Sequence, residues 1–269
     1  MYRVAARSSA GRKILNEDSY SICRPELNGR YGLVAAVADG VSTLNVGDVA
    51  SRVAVATFTA RVVERLFAGA SLIYDDVFIA EILRDAVNYA NSVVLDGVVG
   101  GGTTLTGVVI LDDNAYVVNV GDSRLYLFGD GEIHQITRDH SVAWSELEKE
   151  MRRLAAMDFK ERAEHKRKII VEHPRAHTIT NLVGYYGRVE PIDLFKLRLY
   201  EGDGLLLTTD GVTDVLNDYE IWQIITEEGD ENKIVDRLVA YSMEKGSRDN
   251  ITALIIKRIL RIEDYFSNL

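Results

Sequence analysis

Two packed antiparallel sheets with helix pairs on their outer faces, an α+β sandwich of four layers in the order αββα, is the architecture the sequence predicts. Three observations carry that prediction. Residues 31–38 (YGLVAAVA) form a nearly unbroken apolar run ending in Asp39-Gly40, the pattern of a strand covered on both faces. Four short strand-like stretches follow one another between residues 103 and 137, so close together that antiparallel pairing is implied. Beyond them, groups of strands alternate with pairs of helical segments.

Taken in order, residues 47–67 read as a helix that is apolar on most sides and therefore buried. Between 76 and 95, apolar residues fall at Ile79, Ile82, Leu83, Ala86, Val87, Ala90, Val93 and Val94, a helical stripe, and Asp75 is placed to cap it. The strand series covers 103–111, 115–120, 125–128 and 133–137, separated by the turn signals Asp112-Asp113-Asn114, Gly121-Asp122-Ser123 and Gly129-Asp130-Gly131. A charged helical stretch is expected from 145 to 168. Strands near 192–200 and 204–209, helices near 219–228 and 231–244, and a last strand at 251–257 complete the reading.

Composition fits one folded unit. Of 269 residues, 47% are hydrophobic and 27% charged, and only three are proline, which leaves no room for a long disordered region or a Pro-rich linker. The expected division is a single catalytic domain over 1–260 and a short C-terminal tail over 261–269. The N-terminal MYRVAARSSAGRK lacks the apolar core of a secretion signal, and the longest apolar run falls far short of the ~18 residues of a membrane span. Cys23 is the only cysteine, so neither an intramolecular disulfide nor a cysteine-based zinc site is available, and a reducing cytoplasm is the expected location. A formal net charge of −10 disfavours a nucleic-acid partner.

The chemistry resides in the acidic residues. Asn16-Glu17-Asp18 stand together, Asp39-Gly40 and Asp210-Gly211 end the apolar runs LVAAVADG and GLLLTTDG, and Asp122 and Asp249 sit in turns. Singly, each has a plain explanation as a turn or capping residue. As a set they point elsewhere, because central strands deliver Asp39 and Asp210 to a sheet edge. Carboxylates brought within a few ångströms repel and take up protons unless a cation holds them charged. Hard oxygen ligands, with five histidines that show no ligand spacing, favour Mg²⁺ or Mn²⁺ over Zn²⁺. Two such cations can lower the pKa of a shared water and clamp a phosphoryl group during in-line displacement, hydrolysis without a protein nucleophile.

In the order Asn16-Glu17-Asp18-Ser19, Val37-Ala38-Asp39-Gly40, Gly102-Thr103-Thr104-Leu105, Val120-Gly121-Asp122-Ser123-Arg124, Asp139-His140-Ser141, Thr209-Asp210-Gly211 and Arg248-Asp249-Asn250-Ile251-Thr252, the chain resembles the bacterial-type members of the type-2C metal-dependent serine/threonine protein phosphatases. The resemblance runs from about residue 4 to 257. It implies hydrolysis of phosphoserine and phosphothreonine in proteins by a metal-activated bridging water, with Mg²⁺ or Mn²⁺, two or three per chain. Asp39 would bridge two cations. The Gly40 carbonyl and waters held by Glu17 or Asp18 would complete one site, Asp210 and Asp249 the other, and Asp122 would help hold a third cation. Phosphoprotein substrates and a cognate Ser/Thr kinase system are the implied partners, with neither nucleic acid nor membrane among them.

Two departures from the family pattern matter. The position that usually holds a phosphate-gripping arginine is Lys13, with Arg12 beside it. Arg12 is the expected clamp, since a guanidinium binds phosphate as a bidentate fork and Lys13 acts as a point charge. After Asp39-Gly40 the chain continues Val41-Ser42-Thr43, so no histidine is available there as general acid. The residues 141–177 correspond to the family's flap. Between 146 and 175 they hold nine Lys or Arg against seven Asp or Glu, which suggests that Arg152-Arg153 and Lys166-Arg167-Lys168 meet acidic residues of a substrate; a solvated face laced with pairs such as Glu148 with Arg152 is the alternative. Two other functions compete: a catalytically weak or silent regulatory module of the same fold, and a metal-dependent phosphodiesterase or nuclease, against which the acidic balance argues.

Overall fold

The computed structural model describes residues 1–27, 30–42, 46–67, 75–184, 187 and 189–259, so the expected tail lies outside it. In chain order the elements are β1 (Tyr2–Ser9), β2 (Asp18–Cys23), β3 (Glu26–Leu27), β4 (Arg30–Ser42), α1 (Gly47–Phe67), α2 (Asp76–Gly97), β5 (Gly101–Thr103), β6 (Leu105–Leu111), β7 (Asn114–Val120), β8 (Arg124–Gly129) and β9 (Glu132–Gln135). They continue with α3 (Val142–Leu154), α4 (Phe159–Val171), β10 (Asp193–Arg198), β11 (Gly204–Thr208), α5 (Asp210–Thr213), α6 (Asp218–Glu227), α7 (Glu231–Glu244) and β12 (Ile251–Arg258).

The strands pair antiparallel into two sheets. One runs β1-β12-β11-β8-β9; the other runs β10-β7-β6-β4-β2, with β3 and β5 added on β4. Between the sheets, Leu33, Ala35 and Val37 of β4 meet Leu205 and Leu207 of β11 and Leu254 and Ile256 of β12. The opposite face of β4, Val34, Ala36 and Ala38, packs on α1 and α2 through Phe58, Ile79, Leu83 and Val87. α6 and α7 cover the other sheet through Ile221, Ile234 and Leu238. That is the αββα order, and the apolar run in β4 is explained: both its faces are buried. Each fully buried Leu, Ile or Val contributes about 1.5–3 kcal/mol, so stability resides in the middle of the sandwich and the rim is free to carry charge. No helix among the described residues is long and apolar enough to cross a membrane.

Several expectations are refined. Asp75 caps α2, its side chain accepting from the Phe78 N–H at 2.8 Å. The stretch expected as one strand from 103 is two, β5 and β6, broken at Thr104 because the backbone there turns to bond Asp39. The single charged helix expected from 145 to 168 is likewise two, each with its own cap, Ser141 for α3 and Asp158 for α4. Those helices share a small apolar cluster of Ala143, Trp144, Leu147, Leu154 and Ile170.

The expected substrate-facing role of the basic triplet needs correction. Lys166 turns inward and pairs with Asp218 at 2.5 Å, and Arg167 donates to the Asp214 carbonyl. Only Lys168 of the three is exposed. Glu148 accepts from the Trp144 indole, and no Glu148–Arg152 pair occurs among the described residues.

Candidate metal centre

Strand periodicity delivers the acidic residues to one end of the sandwich. Leu33, Ala35 and Val37 point between the sheets, and two residues on, Asp39 continues that face at the rim. Asp18 stands directly opposite Asp39 in the β2–β4 register, on the same face. On the other sheet, Thr209 continues the inward face of Leu205 and Leu207, and Thr252 that of Leu254 and Ile256. Both hydroxyls donate to Asp18 Oδ2, at 2.8 and 2.6 Å, so Asp18 bridges the two sheets beneath the site. The backbone of Asp39 is fixed in turn: its N–H donates to Thr104 Oγ1, and its carbonyl accepts from the Thr104 N–H and the Thr103 hydroxyl, each at 2.9 Å.

Two glycines permit the close packing. A Cβ on Gly40 would sit 2.0 Å from the Gly47 carbonyl oxygen, and a Cβ on Gly47 would sit 2.5 Å from Glu17 Oε1 and 2.8 Å from the Gly40 carbonyl oxygen. Glu17 and the Gly40 carbonyl therefore converge over the N-terminus of α1. Gly211, next to Asp210, lies so close to the Asn250 carbonyl that a Cβ would approach to 1.9 Å, which brings the start of α5 against the Asp249-Asn250 turn. Asn250 also fastens the loop before β2, accepting from the Glu17 N–H and donating to the carbonyls of Ala10 and Leu15.

The structure brings Asp18, Asp39, Asp122, Asp210 and Asp249 within reach of one another's charge. Burial pushes the Asp39 carboxyl well above the usual carboxylate range, and Asp210, Asp18, Asp122 and Asp249 push it further. Asp122 is raised by burial and by Asp210, and Asp210 by burial and then by Asp214 and Asp249. Asp18 is pushed up to about 7 by burial, against the opposing bonds from Thr252 and Thr209. Asp18 Oδ1, Asp122 Oδ1 and Asp210 Oδ1 are buried without a hydrogen-bond partner. Orphaned hard oxygens amid mutual repulsion fit divalent cations: a cation would satisfy those atoms and hold the carboxylates charged.

The basic residues divide. Lys13 contacts Asp249; burial disfavours its charge, but that bond and the nearby Asp39 and Glu17 outweigh it and raise its pKa. Arg12 is exposed and has no carboxylate partner among the described residues. Of Val41-Ser42-Thr43, Thr43 lies outside the described residues.

Sequence reasoning passed over Asp214. It follows Asp210 by one helical turn, so its carboxylate shares Asp210's side of α5, and burial followed by Asp122 pushes it up to about 7. An Asp214 oxygen, an Asp210 oxygen and a His177 nitrogen all lie within 4.8 Å of one another. The i, i+4 spacing within DGVTD was the available signal.

Residues 6–248 match a family profile described as Protein phosphatase 2C. Serine/threonine phosphatase stp of Listeria innocua serovar 6a is 31% identical over 239 residues, 84% of this chain and 85% of that one. Protein phosphatase PhpP of Streptococcus pneumoniae is 34% identical over 157 residues, 58% of each chain. Among solved structures, the S. agalactiae serine/threonine phosphatase superposes with a TM-score of 0.76 at 25% identity, covering 96% of this chain and 100% of that one. The catalytic domain of the serine/threonine protein phosphatase PstP in complex with two manganese ions gives 0.72 at 26%, covering 96% and 99%.

Proposed function

Because this chain belongs to the protein phosphatase 2C family, we propose that it hydrolyses phosphoserine and phosphothreonine monoesters of other proteins, with Mg²⁺ or Mn²⁺, through one catalytic unit spanning residues 1–260 with a flap at 141–177. The observation that carries this reading is the rim cluster of desolvated, mutually repelling carboxylates with orphaned oxygens. Asp39, Asp210, Asp249 and the Gly40 carbonyl would hold the cations, with Glu17 and Asp18 acting through water and Asp122 with Asp214 at the outer position. Bound there, a pair of divalent cations supplies Lewis acidity, lowering the pKa of a water and neutralising charge that builds on phosphoryl oxygens.

The chain's own groups do the rest. Thr209 and Thr252 orient Asp18, and Thr103 with Thr104 fixes the Asp39 backbone, so the cluster is pre-organised. Arg12, exposed and without a carboxylate partner among the described residues, would fork onto substrate phosphate, while Lys13 is engaged by Asp249. The absence of histidine after Gly40 means that the leaving alkoxide takes its proton from another donor. Substrates would be phosphoproteins made by a Ser/Thr kinase in the same cytoplasm.

The Arg12 assignment is tested on a phosphothreonine peptide and a bis-aryl phosphate diester at saturating Mn²⁺. Loss of a charge-assisted phosphate contact in Arg12→Ala should lower kcat/KM on the peptide about 10- to 100-fold with the Mn²⁺ requirement unchanged. Lys13→Ala should lower kcat/KM less and shift the Mn²⁺ requirement instead. The opposite ranking gives the clamp to Lys13, and preferential hydrolysis of the diester contradicts the monoesterase reading.

A further inference from the structure

We infer that the free edge of β2 is where an extended segment of the phosphoprotein docks, its backbone held along Tyr20 and Ile22 while its phosphate meets the acidic rim; this rests on the phosphatase reading above. The two sheets leave four edge strands, β1, β9, β10 and β2. An uncovered edge invites pairing with another chain, and proteins guard against it with charged side chains. β1 carries Arg3 and Arg7, β9 carries Glu132, and β10 carries Asp193, Lys196 and Arg198. β2, with the sequence DSYSIC, has no charge beyond Asp18, which belongs to the acidic cluster. Its two large side chains stand uncovered, Tyr20 at 42% exposure and Ile22 at 39%.

The backbone of that edge is aimed outward at the same two residues. The Gly40 N–H donates to the Glu17 carbonyl at 3.0 Å, which makes residues 17 and 40 a hydrogen-bonded pair at the head of the β2–β4 ladder. Bonded and non-bonded pairs alternate in an antiparallel ladder, so Ser19, Ser21 and Cys23 bond to β4 while Tyr20 and Ile22 turn their N–H and C=O groups away from it. Among the described residues, no other strand takes those groups. The position of the edge names its occupant. β2 starts at Asp18 inside the acidic cluster, and Ile22 lies about 13 Å along it at ~3.3 Å per residue, the reach of four residues of an extended peptide. The loop running into β2 carries Arg12 and then Ile14 and Leu15, all three exposed. That loop is fastened: Asn250 donates to the carbonyls of Ala10 and Leu15, and the Lys13 N–H donates to the Ala10 carbonyl. Phosphate clamp, apolar tip and open edge follow one another along one fixed stretch of chain. Strand addition draws affinity from main-chain bonds and selectivity from alternate side chains, so the substrate class is phosphoproteins whose modified residue lies in an extended segment with apolar residues two and four positions away.

The test compares, with Mn²⁺, a phosphothreonine peptide with apolar flanks, the same peptide methylated at one or the other alternate set of backbone nitrogens, and an aryl phosphate monoester too small to reach Tyr20. Methylating the set that faces β2 should raise KM about tenfold, and methylating the other set should not. The double variant Tyr20→Lys with Ile22→Lys, which gives β2 the charges the other edges carry, should raise KM for the unmethylated peptide by about the same factor, leave kcat and the aryl phosphate unchanged, and erase the difference between the two methylated peptides. If the lysine variant does not fold, the methylated pair on the unaltered protein carries the test alone. Binding of a labelled peptide, read by fluorescence anisotropy, reports on the edge independently of hydrolysis. Equal behaviour of the two methylated peptides, in KM and in binding, would overturn the inference. So would a dimer in sedimentation that the lysines dissociate without touching peptide kinetics, which would give the edge to a second copy of the chain. Failure of the phosphatase reading itself would show separately, as no hydrolysis of the aryl phosphate by the unaltered protein.

Discussion

Asp39→Asn should abolish phosphopeptide hydrolysis and at the same time stabilise the chelated protein. The activity loss is expected to be at least ~10³-fold, about 4 kcal/mol of transition-state stabilisation, because the substitution removes a charge from the centre of the cluster proposed to hold the cations. The stability gain follows from the same geometry: Asp39 is surrounded by Asp210, Asp18, Asp122 and Asp249, and an amide at that position relieves the repulsion. At pH 8 in chelator the variant should be more stable by about 1–3 kcal/mol, a rise in Tm on the order of 5 °C. Activity assays and thermal melts on one preparation check both signs. Residual activity near that of the unaltered protein would remove Asp39 from the reaction, and a Tm below it in chelator would show the carboxylate to be structural.

The second large effect is a pH dependence that changes with metal. The cluster carboxylates have folded-state pKa values above their unfolded ones, so their favourable contribution is fully present below about pH 4 and is lost as pH rises through the folded values. For Asp18 and Asp214 that folded value is about 7, and Asp39, Asp122 and Asp210 are raised in the same direction. In chelator, these groups should lower stability progressively between pH 5 and pH 8, opposite to the usual behaviour of paired carboxylates. Saturating Mn²⁺ should reverse the trend, adding about 2.7 kcal/mol per site at a hundredfold excess over Kd. Denaturant melts across that range, with and without Mn²⁺, read the difference directly. A chelated protein whose stability rises steadily to pH 8 would mean that the carboxylates are not held together as described.

The sheets and the acidic cluster at their rim were legible in the sequence for the same reason. An apolar run that stops at Asp-Gly marks a buried strand reaching a rim, and two such stops, at Asp39 and Asp210, place carboxylates from two sheets at one end of the sandwich. β1 and β2 carried no such mark. Both are edge strands with polar, half-exposed faces, so their pairing is set by neighbours that periodicity cannot reveal. Asp214 was harder to read because its one signal, the i, i+4 spacing from Asp210, is common in helices, and burial beside Asp122 is what sets it apart. The basic triplet failed differently. Adjacent residues on a helix point about 100° apart, and charge counting cannot tell that Lys166 and Arg167 turn toward Asp218 and Asp214 while Lys168 faces out.

Release of inorganic phosphate from a phosphothreonine peptide, followed while Mn²⁺ is titrated into the purified chelated chain, tests the central claim most directly, provided bound Mn²⁺ is counted in the same samples. No release is expected in chelator, and activity should return saturably with occupancy of two or three Mn²⁺ per chain. Release that persists in chelator, or full Mn²⁺ occupancy with no release, would contradict it.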